Sequence, residues 1–261
     1  MIIRCTALQA APSLKDAMTN NLTSGMLIES LLAGGRSAAY ENFMLRDDED
    51  APIYPESIVQ VEVAKVLKKR IRFSSVELEA DTEKIAATAS GFIPTAKGFP
   101  DVGRHGYFDI VCWQTPVPQV YVEVKDQLSG TDDGIVSDLA RLQEFLKITH
   151  RLGEKAIGHK LPRFGALLYF VGKNSQKYKN GRHLAAQFEK PSAKTVHTTI
   201  EKLKSVLDTT AFDFEFKVER VIDSAKNGPP DAALIGTEHE ETLSGHEQFT
   251  QCVVVVITLK T

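Results

Sequence analysis

The sequence has few cysteines, no long apolar run and almost no excess of charge of one sign. Its three cysteines, Cys5, Cys112 and Cys252, form no Cys-x-x-Cys pair, which argues against a zinc site or a disulfide framework. The formal net charge of −3 gives no overall positive field for nucleic acid, although a local basic patch would suffice. The longest apolar run, Cys252 to Ile257, is too short to span a membrane, and the N-terminus lacks a signal peptide's apolar core. These absences predict a cytoplasmic protein with free thiols and no membrane partner.

The composition that remains is that of an ordinary globular protein, with 43% hydrophobic and 25% charged residues in a chain of 261. We divide the chain into an N-terminal helical extension (1–50), a core (51–175) and a C-terminal α/β extension packed on the same sheet (176–261). The apolar run near residue 30 is expected to end at Gly34 and Gly35, and this first part is interpreted as a cap or an oligomerisation surface. Periodicity predicts helices over residues 54–70, 135–150 and 195–207, and strands over residues 72–80, 164–171, 212–219 and 251–259, the last two paired.

Residues 106–126 are predicted to form the β-hairpin around which the core is arranged. Because strand side chains alternate, the three valines of the second arm share an apolar face, and Tyr121, Glu123 and Lys125 lie on the other. Asp109 lies in the middle of the first arm, where a buried carboxylate costs several kcal/mol unless a positive charge meets it. Asp109, Glu123 and Lys125 together indicate a divalent metal site with an adjacent lysine.

The predicted order αβββαβ over residues 53–172, with Asp109 in the second strand and a Glu-Val-Lys tripeptide from Glu123 in the third, resembles the PD-(D/E)xK nuclease superfamily. Phenylalanine precedes Asp109 where the literal motif has proline, and the literal pair Pro100-Asp101 lies in a loop. The resemblance implies an α/β fold with a restriction-endonuclease-like αβββαβ core, in which helices flank a mixed central sheet, extended here by a C-terminal helix and two strands. It also implies a metal-dependent endo- or exodeoxyribonuclease that hydrolyses phosphodiester bonds of DNA, by analogy in bacterial or phage defence.

Hydrolysis of a phosphodiester requires neutralisation of charge on the phosphoryl oxygens and an activated water, and Mg²⁺ can supply both. The resemblance assigns metal binding to Asp109 and Glu123, with the backbone carbonyl of Val124 as a further candidate ligand. Mn²⁺ is expected to substitute for Mg²⁺. Lys125 would orient the attacking water or stabilise developing negative charge, and it would act as a base only if its pKa were lowered.

Many members of the family add a glutamate from the first helix, and both Glu56 and Glu62 qualify. Glu56 is favoured because it shares a helical face with Gln60 and Val63, whereas Glu62 lies toward Lys65. Gln60 is interpreted as a residue that helps to position a ligand.

Two predicted loops are basic and are candidate DNA contacts, although each can also be interpreted as a solvated connector. Besides DNA, the expected partners are a second copy of the chain in a homodimer and a protein partner in a defence or repair complex. The candidate DNA-binding residues are Lys97, Arg104 and His105 in the first loop, and Lys173, Lys177, Lys179 and Arg182 in the second.

Other interpretations of the same residues stay open. Asp109, Glu123 and Lys125 could form a structural ion-pair cluster on an exposed sheet face. The chain could also be a catalytically inactive binding or scaffold module of the same fold in a larger nucleic-acid or defence complex. Asp138 and Arg141, one helical turn apart, are interpreted as a surface ion pair.

Overall fold

The fold is described from a computed structural model that covers residues 22–44, 56–89, 106–114, 117–128, 133–157, 164–174, 185–223 and 248–260. In these ranges the helices are α1 (Ser24–Met44), α2 (Glu56–Ile71), α3 (Thr82–Ala89), α4 (Asp133–Ile157) and α5 (Ala185–Val206). The strands are β1 (Ser75–Asp81), β2 (Tyr107–Gln114), β3 (Val117–Leu128), β4 (Phe164–Asn174), β5 (Phe212–Asp223) and β6 (Gln248–Leu259).

The strands form one six-stranded sheet in the order β1-β2-β3-β4-β6-β5. β3 and β4 are parallel, with α4 between them in the chain, and every other neighbouring pair is antiparallel. The chain is therefore an α/β protein with a mixed sheet flanked by helices, as predicted. The expected pairing of the last two strands is confirmed, since Phe212 lies opposite Leu259 and Asp223 lies opposite Phe249.

Helices cover both faces of the sheet. The three valines of β3 that were predicted to face the core join one buried cluster with α1 and α2, including Val63 and Leu67. Tyr121, on the opposite face of β3, is buried against Phe145 of α4, in a second cluster that also includes residues of α3 and α5. Alternation along β3 therefore places one set of its side chains against α2 and the other set against α4.

α1 continues through Gly34 and Gly35, so the helix break expected there is wrong. A Cβ atom on Gly34 would lie 2.7 Å from Cα of Val63 in α2, and one on Gly35 would lie 2.6 Å from Sγ of Cys252 in β6. Glycine within a helix costs about 1 kcal/mol relative to alanine, and here it permits close packing of helix on helix and of helix on sheet. Leu31 is fully buried, so this helix belongs to the core of the fold.

Several boundaries differ from those predicted. β1 begins at Ser75 rather than at residue 72, and Arg72 has a positive φ of 58°, which is incompatible with a strand at that position. α5 begins at Ala185, ahead of the predicted residue 195, and α3 was not predicted. The domain boundaries at residues 50 and 175 stay predictions. Within the described part of the chain, we find no helix with the length and apolar character required to cross a membrane.

Candidate active site

Asp109 and Glu123 face each other where the ladder between β2 and β3 ends. The antiparallel register pairs Ile110 with Val122, and its continuation by one residue places Asp109 opposite Glu123. The two carboxyl groups are hydrogen-bonded to each other, and Oδ2 of Asp109 also accepts a hydrogen bond of 2.6 Å from the backbone N–H of Val124. Glu123 is 1% exposed and Asp109 is 9% exposed. The hairpin therefore brings these two side chains to the same end of the ladder, and the metal site predicted for them stays a prediction.

The pKa values of the two acids are both raised. Burial and the adjacent charge of Asp109 raise the pKa of Glu123 to about 9, although the guanidinium of Arg141 opposes this rise. Burial also raises the pKa of Asp109, while hydrogen bonds from the Val124 N–H and from Glu123 act in the opposite direction. We therefore assign the proton to Glu123, which donates it to the carboxylate of Asp109. A cation that bound both oxygens would have to displace this proton.

α2 and β1 support Asp109 from the other side. Nε2 of Gln60 donates one hydrogen bond of 3.2 Å to Oδ1 of Asp109 and one of 2.9 Å to Oε1 of Glu79. Glu79 interrupts β1 opposite Asp109, because its neighbours pair with Ile110 and Phe108 while its own φ is 51°. Sequence reasoning found Gln60 but not Glu79, whose left-handed backbone has no signature in an alternating strand pattern.

Two glutamates were proposed for the helix carboxylate, and of these Glu56 is the one whose charge acts on a residue of the site. Its negative charge contributes to the raised pKa of Lys125. Glu62 points elsewhere, since it accepts hydrogen bonds of 2.7 Å from Ser37 and 2.6 Å from Lys65. The hydrogen bonds of Glu62 therefore direct it away from Asp109, and the role of Glu56 as the helix carboxylate stays a prediction.

α4 carries two charged residues into the site. Nζ of Lys125 lies 3.2 Å from Oδ2 of Asp138, and Nη2 of Arg141 donates a hydrogen bond to Oε1 of Glu123. Burial favours a lower pKa for Lys125, but the carboxylates of Asp138, Glu56 and Asp109 together outweigh it, and the net shift is upward. Lys125 is therefore an ammonium group, suited to stabilising negative charge rather than to removing a proton.

Asp138 and Arg141 do form the predicted pair, with Nη2 3.4 Å from Oδ1, but placing this pair at the surface was wrong. Asp138 is 9% exposed and lies on the inward stripe of α4 with Ile135 and Leu142. The sequence does contain a signal for the burial of Asp138, because this charged residue occupies a position of α4 at which the helical pattern expects an apolar side chain.

The alternative interpretation, in which Asp109, Glu123 and Lys125 form an ion-pair cluster on an exposed face of the sheet, is wrong about the exposure. Tyr121 is fully buried and Glu123 nearly so, because α4 covers this face of β3. Ion pairs do occur here, but they are enclosed between the sheet and a helix, where removing one partner is costly.

Most of the predicted DNA contacts fall outside the described residues. Lys97, Arg104 and His105 precede β2, and Lys177, Lys179 and Arg182 follow β4, in both cases beyond the described ranges. Lys173 lies in β4, opposite Phe249 of β6. The interpretation of these basic residues as DNA contacts stays a prediction.

Comparisons with families of proteins, with curated proteins and with solved structures give no match to this chain.

Proposed function

We propose that this chain is a metal-dependent nuclease of the PD-(D/E)xK type that hydrolyses phosphodiester bonds of DNA. One observation carries the proposal: Asp109 and Glu123 converge on adjacent strands with the ammonium group of Lys125 two residues further on. The element order supports it, since α2, β1, β2, β3, α4 and β4 follow the αβββαβ order, interrupted only by α3. DNA as the substrate, a homodimer and a role in defence enter the proposal through the resemblance alone.

The residues at the site fit Mg²⁺. In the described ranges, no group of three or more His, Cys, Asp and Glu side chains is arranged to hold a metal ion. Mg²⁺ does not require such a group, because it retains several waters and commonly binds one or two carboxylates together with substrate phosphates. Asp109 and Glu123 supply two carboxylates, and a bound cation would oppose the burial and the charge of Asp109 that raise the pKa of Glu123. These two residues would hold the ion, with the carbonyl of Val124 as a further candidate ligand.

When bound, Mg²⁺ would neutralise charge on the phosphoryl oxygens and acidify a water. The side chains of the chain do the remaining work. Gln60 and the N–H of Val124 fix the orientation of Asp109, because each donates a hydrogen bond to one of its two oxygens. Lys125, kept protonated beside Asp138, places positive charge where negative charge develops during cleavage. Glu56 adds negative charge near Lys125.

Cleavage of plasmid and linear DNA in the presence of Mg²⁺ tests the proposal. Asp109→Asn and Lys125→Met should each lower the rate on the order of 100-fold or more, since each removes a charge at the reacting centre. Asp133→Asn and Lys204→Met are matched controls, because the same changes are made at exposed surface pairs. Wild-type activity that survives both changes at the site would contradict the proposal.

A second candidate is a catalytically inactive binding or scaffold module. This candidate is favoured because the charged side chains of the site pair with one another: Arg141 contacts Glu123, and Lys125 contacts Asp138. Titration with Mg²⁺ or Mn²⁺ separates the candidates, because a ligand at 100 times its Kd stabilises the fold by about 2.7 kcal/mol. No change in Tm would favour the scaffold. Metal binding without cleavage would indicate a nuclease that requires a partner or activator.

A further inference from the structure

Arg141 lies where the charges of the site meet. Its Nη2 contacts both Glu123 and Asp138, and its guanidinium carbon lies 5.4 Å from the centroid of the Phe108 ring. The side chain is 24% exposed, and Nε has no hydrogen-bond partner among the described residues. Gly106 lies beside this guanidinium, since a Cβ atom built on it would be 3.5 Å from Nη1. Arg141 therefore contacts an aromatic ring and two carboxyl groups, part of its side chain reaches solvent, and its buried Nε is unpaired.

The present partners of Arg141 change if the carboxylates hold a cation. Three carboxylates (Asp109, Glu123 and Asp138) and two cationic side chains (Lys125 and Arg141) form one contact network. Glu56 and Glu79 add negative charge beside this network. When a divalent ion displaces the proton of Glu123, the ion itself becomes the counter-charge of that buried carboxylate, and the guanidinium of Arg141 can contact another anion.

We propose that Arg141 is the phosphodiester-binding residue of this site, and that its contact with Glu123 is replaced by a substrate phosphate when a divalent cation occupies the carboxylates. This inference rests on the proposed nuclease function. Guanidinium groups suit the role because their planar fork donates two parallel hydrogen bonds to phosphate oxygens. The side chain is partly exposed here, and its Nε, which is buried and unpaired, would be a second donor once the contact with Glu123 is released.

Binding and cleavage must be measured separately to test this role. DNA binding is followed by fluorescence anisotropy of a labelled duplex with Ca²⁺ as the cation, over a series of salt concentrations, and gels verify that the duplex stays intact. Metal binding is followed by the electron paramagnetic resonance of free Mn²⁺, without DNA. The variants are Arg141→Gln, Arg141→Lys and the matched control Arg151→Gln, which removes the same charge from an exposed position of α4.

Arg141→Gln should weaken DNA binding about tenfold, and the slope of log K against log salt should become shallower by about 1, since one phosphate contact is lost. Its affinity for Mn²⁺ should be unchanged or higher, because the guanidinium no longer contacts Oε1 of Glu123 and one positive charge beside the cation is removed. Arg141→Lys should keep the salt slope but lose part of the affinity, since a lysine has the charge without the fork. Arg151→Gln should alter neither property.

Unchanged DNA affinity and salt slope in Arg141→Gln would overturn the inference, even if the wild type cleaves DNA. A parallel loss of Mn²⁺ affinity, DNA affinity and Tm would also overturn it, because Arg141 would then be a structural partner of Glu123. A wild-type protein that bound neither Mn²⁺ nor DNA would refute the proposed function itself. Arg141→Lys preserves the test if the glutamine variant does not fold.

Discussion

Replacing Glu123 with glutamine should stabilise the metal-free protein at neutral pH. Glu123 is 1% exposed, and burial together with the charge of Asp109 raises its pKa from 4.5 to about 9. Glutamine has nearly the same shape and cannot ionise. Its amide can donate to Asp109 as the protonated carboxyl does, and its oxygen can accept from Arg141. The variant therefore keeps the contacts of the protonated acid and removes its titration.

The sign and size of the effect follow from proton linkage. Between pH 4.5 and about 9 the folded protein retains a proton that Glu123 releases on unfolding, so stability falls as pH rises through this window. Below it both states are protonated, and above it both are ionised. At pH 7 the gap from the unfolded pKa is about 2.5 pH units, which corresponds to about 3 kcal/mol. Because Glu123 and Asp109 titrate as a coupled pair, we expect Glu123→Gln to gain about 1–3 kcal/mol at pH 7.

Urea denaturation at pH 5, 7 and 8.5 in the presence of a chelator measures this gain. The advantage of Glu123→Gln should be small at pH 5 and should grow toward pH 8.5. Glu77→Gln, at an exposed position of β1, is the matched control and should show no such trend. A glutamine variant that is less stable than the wild type at pH 7, or an advantage that does not grow with pH, would refute the assignment of the proton to Glu123.

Three further predictions concern the site and the packing of α1. The apparent affinity for Mg²⁺ should rise about tenfold per pH unit from pH 7 toward 9, because Glu123 must lose its proton before it can bind the ion. Calorimetry in two buffers should detect the release of about one proton for each ion bound. Binding without proton release would contradict this prediction. Glu79→Gly should be more stable than Glu79→Ala by about 1 kcal/mol in urea, because φ is positive there, and equal stabilities would rule out the left-handed backbone. Gly35→Ala should cost about 1–3 kcal/mol because the new Cβ meets Cys252, whereas Gly25→Ala, whose Cβ has no neighbour closer than 3.9 Å, should not lower Tm.

The carboxyl pair could be predicted from the sequence because it depends on local geometry. Strand alternation assigns Glu123 and Lys125 to the face opposite the valines, and the short turn of the hairpin limits which residues can lie opposite Asp109. The mixed sheet follows from the order of helical and alternating segments in a similar way. These features need only short-range information, in which each strand or helix is interpreted from its own periodicity.

The contribution of α4 could not be predicted in the same way, because it depends on how a helix docks across the sheet. Asp138 and Arg141 have the spacing of an ordinary surface pair, and only the packed structure shows that they meet Lys125 and Glu123. The continuity of α1 through Gly34 has the same origin, since the compensating contact with Val63 comes from a different helix. In both cases the local sequence pattern is compatible with two structures, and only contacts between distant parts of the chain decide which one forms.

The energetics of the carboxyl pair also separate the two candidate functions. A buried acid with a pKa of about 9 destabilises the fold at pH 7, and a glutamine in its place would not, so the pair contributes nothing to a purely structural role. In a metal site, a bound cation stabilises the folded protein by an amount that grows with its concentration relative to Kd. Glu123→Gln should therefore gain stability without the cation and lose the stabilisation that the cation gives to the wild type. A variant that gains stability yet keeps the full rise in Tm with Mg²⁺ would place the metal away from Glu123.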